Sequence, residues 1–141
     1  MVILLCGASD MARKLLAERF SRHEKPWKHL PLERVHKLME MQKLPAQEAD
    51  EDPLFIRVAC HCAQEMTAQG HRVVLSHPVG VDILETLREE LEPEFLAFHL
   101  GPVDGDETDE RIAEMFDFLI DSRQHSVSDA FALMLKAIDG R

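Results

Sequence analysis

The sequence predicts an α/β fold, a three-layer α/β/α sandwich with a parallel central sheet. Apolar runs of strand length recur at residues 2–6, 72–76 and 95–100, and segments with helical periodicity separate them. Strands that alternate with helices are joined by crossover connections, which produce a parallel sheet covered by helices on both faces. The length of 141 residues supports one domain, so we expect residues 1–141 to fold as a unit.

The first half of the chain begins with a continuous apolar run, typical of a strand buried on both faces. The helix that follows has an apolar stripe formed by Met11, Leu15, Leu16 and Phe20. Its charged residues, placed on the solvated face, are Arg13, Lys14, Glu18 and Arg19. Residues 27–30 lie between two prolines and predict either a short edge strand or an extended connector. A helix from Pro31 has the stripe Leu32, Val35, Leu38 and Met39. The polar segment 42–52 predicts a mobile loop, and a helix from Pro53 is expected to end at Gly70.

The second half alternates in the same way. A helix with Ile83, Leu84, Leu87 and Leu91 lies between the strands at 72–76 and 95–100. A helical stripe then follows at Ile112, Met115, Phe116, Leu119 and Ile120. Ser126 can cap a last helix. The residues we expect in the core are Leu4, Val74, Leu96, Met115, Phe116 and Leu119.

Charge and composition exclude several classes of function. The formal net charge of −10 disfavours binding to nucleic acid or to anionic membranes. No apolar stretch reaches membrane-spanning length, and the start of the chain does not read as a signal peptide. The cysteines Cys6, Cys60 and Cys62 are odd in number and have no disulfide spacing, which favours a reducing, cytoplasmic location.

The turn after the first strand is the strongest candidate site. It reads Gly7-Ala8-Ser9-Asp10-Met11-Ala12-Arg13-Lys14. A strand that ends on glycine and leads into a helix is where phosphate-binding folds hold an anion. Aligned with the phosphate loop G-x-x-x-x-G-K-[ST], the turn has Ala12 in place of the second glycine. Arg13 stands in place of the lysine, and Lys14 in place of the hydroxyl that holds a metal. Ligands in such sheets bind at the carboxyl ends of the strands, which here also include the 76–80 and 101–107 loops.

Four segments resemble the small phosphate-loop (P-loop) kinases, namely the nucleoside-monophosphate, adenylylsulfate and gluconate kinase-like proteins. They are LLCGAS with LAERF, VACHCAQEMTAQGHRVVLSHPVG, LREELEPEFLAFHL and DETDERI, and together they cover most of the chain. The resemblance implies a P-loop NTPase-like fold, ATP as a ligand and magnesium as its metal. Gly7, Ala8 and Ser9 match the front of a GASGSGKST-like loop, and Arg111 matches an arginine that faces the nucleotide.

The departures from the family pattern affect the chemistry. Asp10 brings a negative charge to the anion site, and the hydroxyl and acid that would hold magnesium are replaced by Lys14 and Ser76. We therefore expect a degenerate kinase-like protein with weak or absent ATP-dependent phosphoryl transfer, and no catalytic residue is assigned. The alternative is a non-catalytic scaffold that binds a nucleotide, a phosphorylated metabolite or a protein. In a purely structural interpretation, Asp10 caps the helix while Arg13 and Lys14 are solvated.

Other candidate clusters favour structural roles. Cys60 and Cys62 would lie about 200° apart on a helix, so they cannot grip one metal ion. Among His71, His77 and His99, only His77 is placed at a carboxyl end of a strand, so no metal site is assigned. An exposed sheet edge beside Trp27 would favour a homodimer. If Trp27 is instead buried under the helix from Pro31, this argument for a dimer does not apply.

Overall fold

Strands and helices alternate along most of the described chain. The computed structural model describes residues 1–7, 9–42, 54–78, 81–101, 114–121 and 123–140. Within them the strands are β1 Val2–Cys6, β2 Trp27–Pro31, β3 Arg72–His77, β4 Phe95–Leu100 and β5 Phe118–Ile120. The helices are α1 Asp10–Ser21, α2 Leu32–Met41, α3 Leu54–Ala68, α4 Val81–Leu91 and α5 Val127–Asp139. No helix in these ranges is long and apolar enough to cross a membrane.

The strands form one parallel sheet in the order β2-β3-β1-β4-β5. β1 lies in the middle, where Leu4 is in register with Leu75 on one side and Ala97 on the other. All five residues of β1 are buried, which explains its unbroken apolar sequence. The predicted three-layer fold is confirmed, and residues 27–30 belong to an edge strand rather than to a connector.

Successive residues of each strand point to opposite faces of the sheet, and each face is covered by its own helices. Val2, Leu4 and Cys6 pack with residues of α2, α3 and α4. Ile3 and Leu5 pack on the other face with residues of α1 and α5. The sheet therefore separates two apolar clusters, one on each face.

The predicted helical stripe at 112–120 is wrong in its last part, because residues 118–120 form β5. Phe118 is in register with Phe98, and Ile120 with Leu100, so this apolar triplet extends the sheet. A short apolar run fits a strand as well as a helix, and tertiary pairing decided between them. Leu119 is consequently 42% exposed and not a core residue, whereas Phe116 is buried and Met115 half-buried. Ile112 lies outside the described residues.

The environment of Trp27 also differs from both expectations. Its side chain is 1% exposed and packs edge-on against Phe20 of α1, with ring centroids 5.3 Å apart. The guanidinium of Arg72 lies over its ring at 4.5 Å. Trp27 is thus neither exposed at the sheet edge nor covered by α2. Burial under α1 removes the argument that placed a dimer interface at this residue.

Some helical stripes are more exposed than predicted. Met11, Leu15 and Leu38 are 64%, 37% and 53% exposed. α2 begins one residue after Pro31, which ends β2. α3 ends at Ala68, and Gly70 takes a φ of +91° just beyond it, as expected of a glycine that terminates a helix. The 42–52 loop after Gln42 and the start of the helix at Pro53 lie outside the described residues.

Leu96 provides a test of the sheet. Its side chain is 6% exposed in β4, so we expect Leu96→Ala to lower the free energy of unfolding by about 2–5 kcal/mol in urea denaturation. Leu38→Ala, at a 53% exposed position on α2, is the control and should cost about 0.5 kcal/mol or less. A loss below about 1 kcal/mol for Leu96→Ala would contradict a central position for β4.

Candidate functional site

The carboxyl ends of β1, β2 and β3 meet at one edge of the sheet, where α1 begins. Gly7 ends β1 with a φ of +139°, a backbone conformation that favours glycine. A Cβ atom at this position would collide with the carbonyl oxygen of Leu100 at the end of β4. The fold itself therefore requires this glycine, whether or not a phosphate binds.

The first turn of α1 has its own cap. Ser9 is the N-cap residue, and its Oγ accepts a hydrogen bond from the amide of Ala12 at 3.1 Å. The structural interpretation that gave this role to Asp10 is wrong. Asp10 lies in the first helical turn, where its negative charge is favourable to the helix dipole but occupies the region in which a ligand anion would bind.

Arg13 is buried, with 4% of its surface exposed, although the helical pattern placed it on the solvated face of α1. Its Nη1 donates to the carbonyl oxygen of Gly7, and its Nη2 donates to Oδ1 of Asp10. Glu33 of α2 approaches the same Nη2 with Oε1 at 3.9 Å. A buried cation needs such partners, since an unpaired charge in this position would be strongly unfavourable. The structure therefore uses Arg13 to hold the turn against α1.

Ser76 and His29 form a second polar pair at this edge. Ser76 is 6% exposed near the end of β3, and its Oγ lies 2.8 Å from Nε2 of His29 in β2. Strand alternation puts both side chains on the α1 face of the sheet, because Val74 packs in the cluster on that face. Partial removal from water lowers the pKa of His29, and the positive charge of Arg34 lowers that pKa further. Both effects favour the neutral form of the imidazole.

These groups line a cleft of about 200 Å³. Its lining residues are Asp10, Arg13, Lys14, His29, Pro31, Glu33 and Ser76. Two of them are cationic and two anionic, so their formal charges cancel while His29 is neutral. The cleft is small, and all of its lining residues except Pro31 are polar or charged, which fits a compact charged ligand.

The structure does not bring together all predicted site residues. Gly7, Ser9, Asp10 and Arg13 surround the turn, and Lys14 is exposed at the cleft. Ala12 is half-buried and Met11 is exposed. Ala8 and Arg111 lie outside the described residues.

The other sequence candidates do not form a site in the described ranges. Among these residues, no group of three or more histidine, cysteine, aspartate or glutamate side chains is arranged to hold a metal ion. Cys60 is buried, Cys62 is half-buried and His61 is exposed. Burial raises the pKa of the Cys6 thiol to about 12, against the opposing charge of Arg13, so the thiol next to the turn remains protonated.

The sequence pattern did not identify His29 as a site residue. The signal was available in the alternation of Trp27, His29 and Pro31, which puts the three residues on one face of an edge strand. Because residues 27–30 were equally compatible with a connector, that alternation could not be used. The pairing of β2 with β3 was needed to bring His29 to Ser76.

Comparison with solved structures establishes a P-loop kinase-like fold. The tunicamycin resistance protein of Deinococcus radiodurans superposes with a TM-score of 0.66 at 17% identity, covering 99% of this chain and 95% of that one. A sugar kinase from a Janibacter species gives a TM-score of 0.69 at 13% identity, with 98% and 94% covered. Shikimate kinase from Aquifex aeolicus gives 0.61 at 11% identity, with 99% and 97% covered. No protein-family model matches the sequence, and no curated protein sequence matches it.

The residues that align with the magnesium positions of P-loop kinases do not fit that ion. Magnesium binds oxygen ligands in near-octahedral geometry, with carboxylates supplying negative charge. Here an ammonium group, Lys14, stands at the hydroxyl position, and Ser76 at the acid position bonds to His29. The nearby Asp10 carboxylate is engaged by Arg13. These two positions therefore provide no carboxylate ligand for magnesium.

Arg13 provides a test of this site as a structural element. Arg13→Met keeps most of the side-chain volume but leaves the Gly7 carbonyl without its donor, so we expect a loss of about 1–3 kcal/mol in the free energy of unfolding. Lys14→Met, at the exposed neighbouring position, should change stability by no more than about 0.5 kcal/mol. Equal effects of the two substitutions in urea denaturation would contradict the role given to Arg13.

Proposed function

We propose that residues 1–141 form a single kinase-like domain that binds a phosphorylated small molecule or a nucleotide at the Gly7–Lys14 turn. In this proposal the chain performs little or no phosphoryl transfer. The hydrogen bonds of Arg13 are the observation that supports weak or absent phosphoryl transfer. A kinase lysine bridges the β and γ phosphates, whereas this guanidinium is bound to the Gly7 carbonyl and the Asp10 carboxylate.

The support for anion binding comes from what surrounds Arg13. The amide groups in the first turn of α1 face the sheet edge, and the helix dipole favours negative charge there. Lys14 adds an exposed ammonium group beside the cleft. A phosphate would have to compete with Asp10 for these donors, so we expect modest affinity.

The alternative is a non-catalytic scaffold that binds a nucleotide, a phosphorylated metabolite or a protein, and the form that binds only a protein needs no phosphate at the turn. The requirement for Gly7 favours this alternative, because the approach of Leu100 explains the glycine without any ligand. The capping bond of Ser9 is also explained by helix formation alone. Direct measurement of nucleotide binding separates the two functions.

Isothermal titration with ATP, in the presence and absence of magnesium, is the decisive experiment. We expect binding of similar affinity in both conditions, because Lys14 and the helix amides supply the positive charge without a metal. Affinity that depends on magnesium would favour a working ATP-dependent phosphotransferase and contradict the proposal. Absence of binding in both conditions would favour the scaffold.

Restoring the residues of a kinase phosphate loop provides a second test of the same site. The variant with Asp10→Gly, Ala12→Gly, Arg13→Lys and Lys14→Ser should bind ATP more tightly and gain dependence on magnesium. Asp10→Asn alone is the milder variant, and it should also strengthen binding because it removes the competing charge. Unchanged affinity in both variants would mean that the turn does not face a phosphate.

A homodimer in the cytoplasm remains part of the proposal. The free cysteines fit a reducing compartment. For the dimer, the supporting surface is an apolar groove of about 340 Å³ beside β5, at the opposite edge from Trp27. Its lining residues are Phe98, Phe118, Leu119, Ile120, Leu133, Lys136 and Ala137. In the described chain, β5 ends the sheet, and an exposed, mainly apolar edge favours pairing with a second copy.

Leu133 tests this dimer surface. Its side chain is 43% exposed on α5, so Leu133→Gln should weaken self-association at least about tenfold without unfolding the protein. Leu38→Gln, at a 53% exposed position on α2, is the matched control and should leave self-association unchanged. Sedimentation equilibrium measures both variants. A concentration-independent mass of one chain for the unmodified protein would exclude the dimer.

A further inference from the structure

The pair formed by His29 and Ser76 has no role in holding the turn of Arg13, yet both side chains line the same cleft. His29 belongs to the edge strand β2 and is exposed, so its ring can exchange protons with solvent. Ser76 holds Nε2 at 2.8 Å and thereby fixes the ring at the cleft wall. A neutral imidazole has one N–H donor, and when it takes up a proton both ring nitrogens become donors and the ring becomes a cation that attracts an anion.

Protonation of His29 would change the balance of charge in the cleft. The carboxylates of Asp10 and Glu33 balance the cations of Arg13 and Lys14 while His29 is neutral. Protonation of His29 would change the formal charge of the lining from zero to one positive. A lining with one net positive charge attracts an anion more strongly than a neutral lining does.

We propose that the cleft is a proton-linked site for a tetrahedral oxyanion, a sulfate or phosphate group, with His29 as the group that takes up the proton. This proposal rests on the proposed function, and it names the regulation of that site. The anion binds between the start of α1 and the ends of β2 and β3. His29 then donates a hydrogen bond to the anion, alongside Lys14.

Partial removal of the ring from water lowers the pKa of free His29, and the positive charge of Arg34 on α2 lowers it further. The cleft also holds the carboxylates of Glu33 on α2 and Asp10 on α1 and the cations Arg13 and Lys14 on α1, whose formal charges cancel. A bound anion adds negative charge, so it must raise the pKa of His29. By reciprocity, protonation must strengthen anion binding.

Sulfate is the appropriate probe, because it remains a dianion over the pH range in which histidine titrates, whereas phosphate changes its own charge. We expect sulfate to bind about fivefold more tightly at about pH 5 than at about pH 8. Changes in amide chemical shifts during an NMR titration measure this binding. In the same NMR experiment, sulfate should raise the pKa of His29 by about 0.7, which is the equivalent of that change in affinity.

Two variants distinguish the effect of protonating His29 from the effect of protonating other surface groups. His29→Gln retains a polar side chain facing Ser76 without a titration, so it should bind sulfate equally at both pH values. His61→Gln removes an exposed histidine of α3 and should keep the full pH dependence of the unmodified protein. If the glutamine variant at residue 29 does not fold, the His29 pKa in the unmodified protein still decides the question.

The outcomes distinguish this inference from the function on which it rests. Sulfate binding of equal strength at both pH values, with no change in the His29 pKa, would overturn the proton linkage and leave anion binding intact. Binding at neither pH would overturn the anion site and, with it, the proposed binding of phosphorylated ligands.

Discussion

The burial of one cation, Arg13, constrains the whole edge of the sheet at which a ligand could bind. Because the guanidinium lies out of water, its donors must be satisfied, and the Gly7 carbonyl and the Asp10 carboxylate satisfy them. These bonds fix the turn after β1 relative to the first turn of α1. Oε1 of Glu33 on α2 lies 3.9 Å from Nη2 of Arg13, which connects α2 to the same group of charges. The shape and charge of the cleft therefore follow from how this one side chain is neutralised.

The bonds of Arg13 also connect the fold with function. A phosphate loop presents amides and a mobile lysine to its ligand, so its donors are free until the ligand arrives. In this chain the guanidinium of Arg13 is already bound to the Gly7 carbonyl and the Asp10 carboxylate. A ligand must replace existing bonds rather than fill open ones, and each exchange yields only the difference between two similar interactions. This explains in physical terms why we expect modest affinity and little catalysis.

Much of the fold could be predicted from sequence, because the central strands carry unbroken apolar runs that have no competing interpretation. β1, β3 and β4 are such strands. β5 is not, since its three residues also fit the helical stripe that precedes them, and only pairing with β4 separates the two possibilities. The turn was found as a candidate site from Gly7, but the burial of Arg13 and the contact between His29 and Ser76 depend on tertiary packing that periodicity does not encode.

The differences from a kinase loop are related to one another by chemistry. At the position that aligns with the lysine of a kinase phosphate loop, Arg13 bonds to a backbone carbonyl and a carboxylate within the same turn. At the position that aligns with the strand acid of those kinases, Ser76 bonds to an imidazole. A buried polar group without a partner is energetically costly. Among the described residues of this site, Arg13 and Ser76 are the buried polar side chains, and both bond within the protein. Because the bonds of Arg13 go to Gly7 and Asp10, protonation of His29 would change the net charge of the cleft without breaking them.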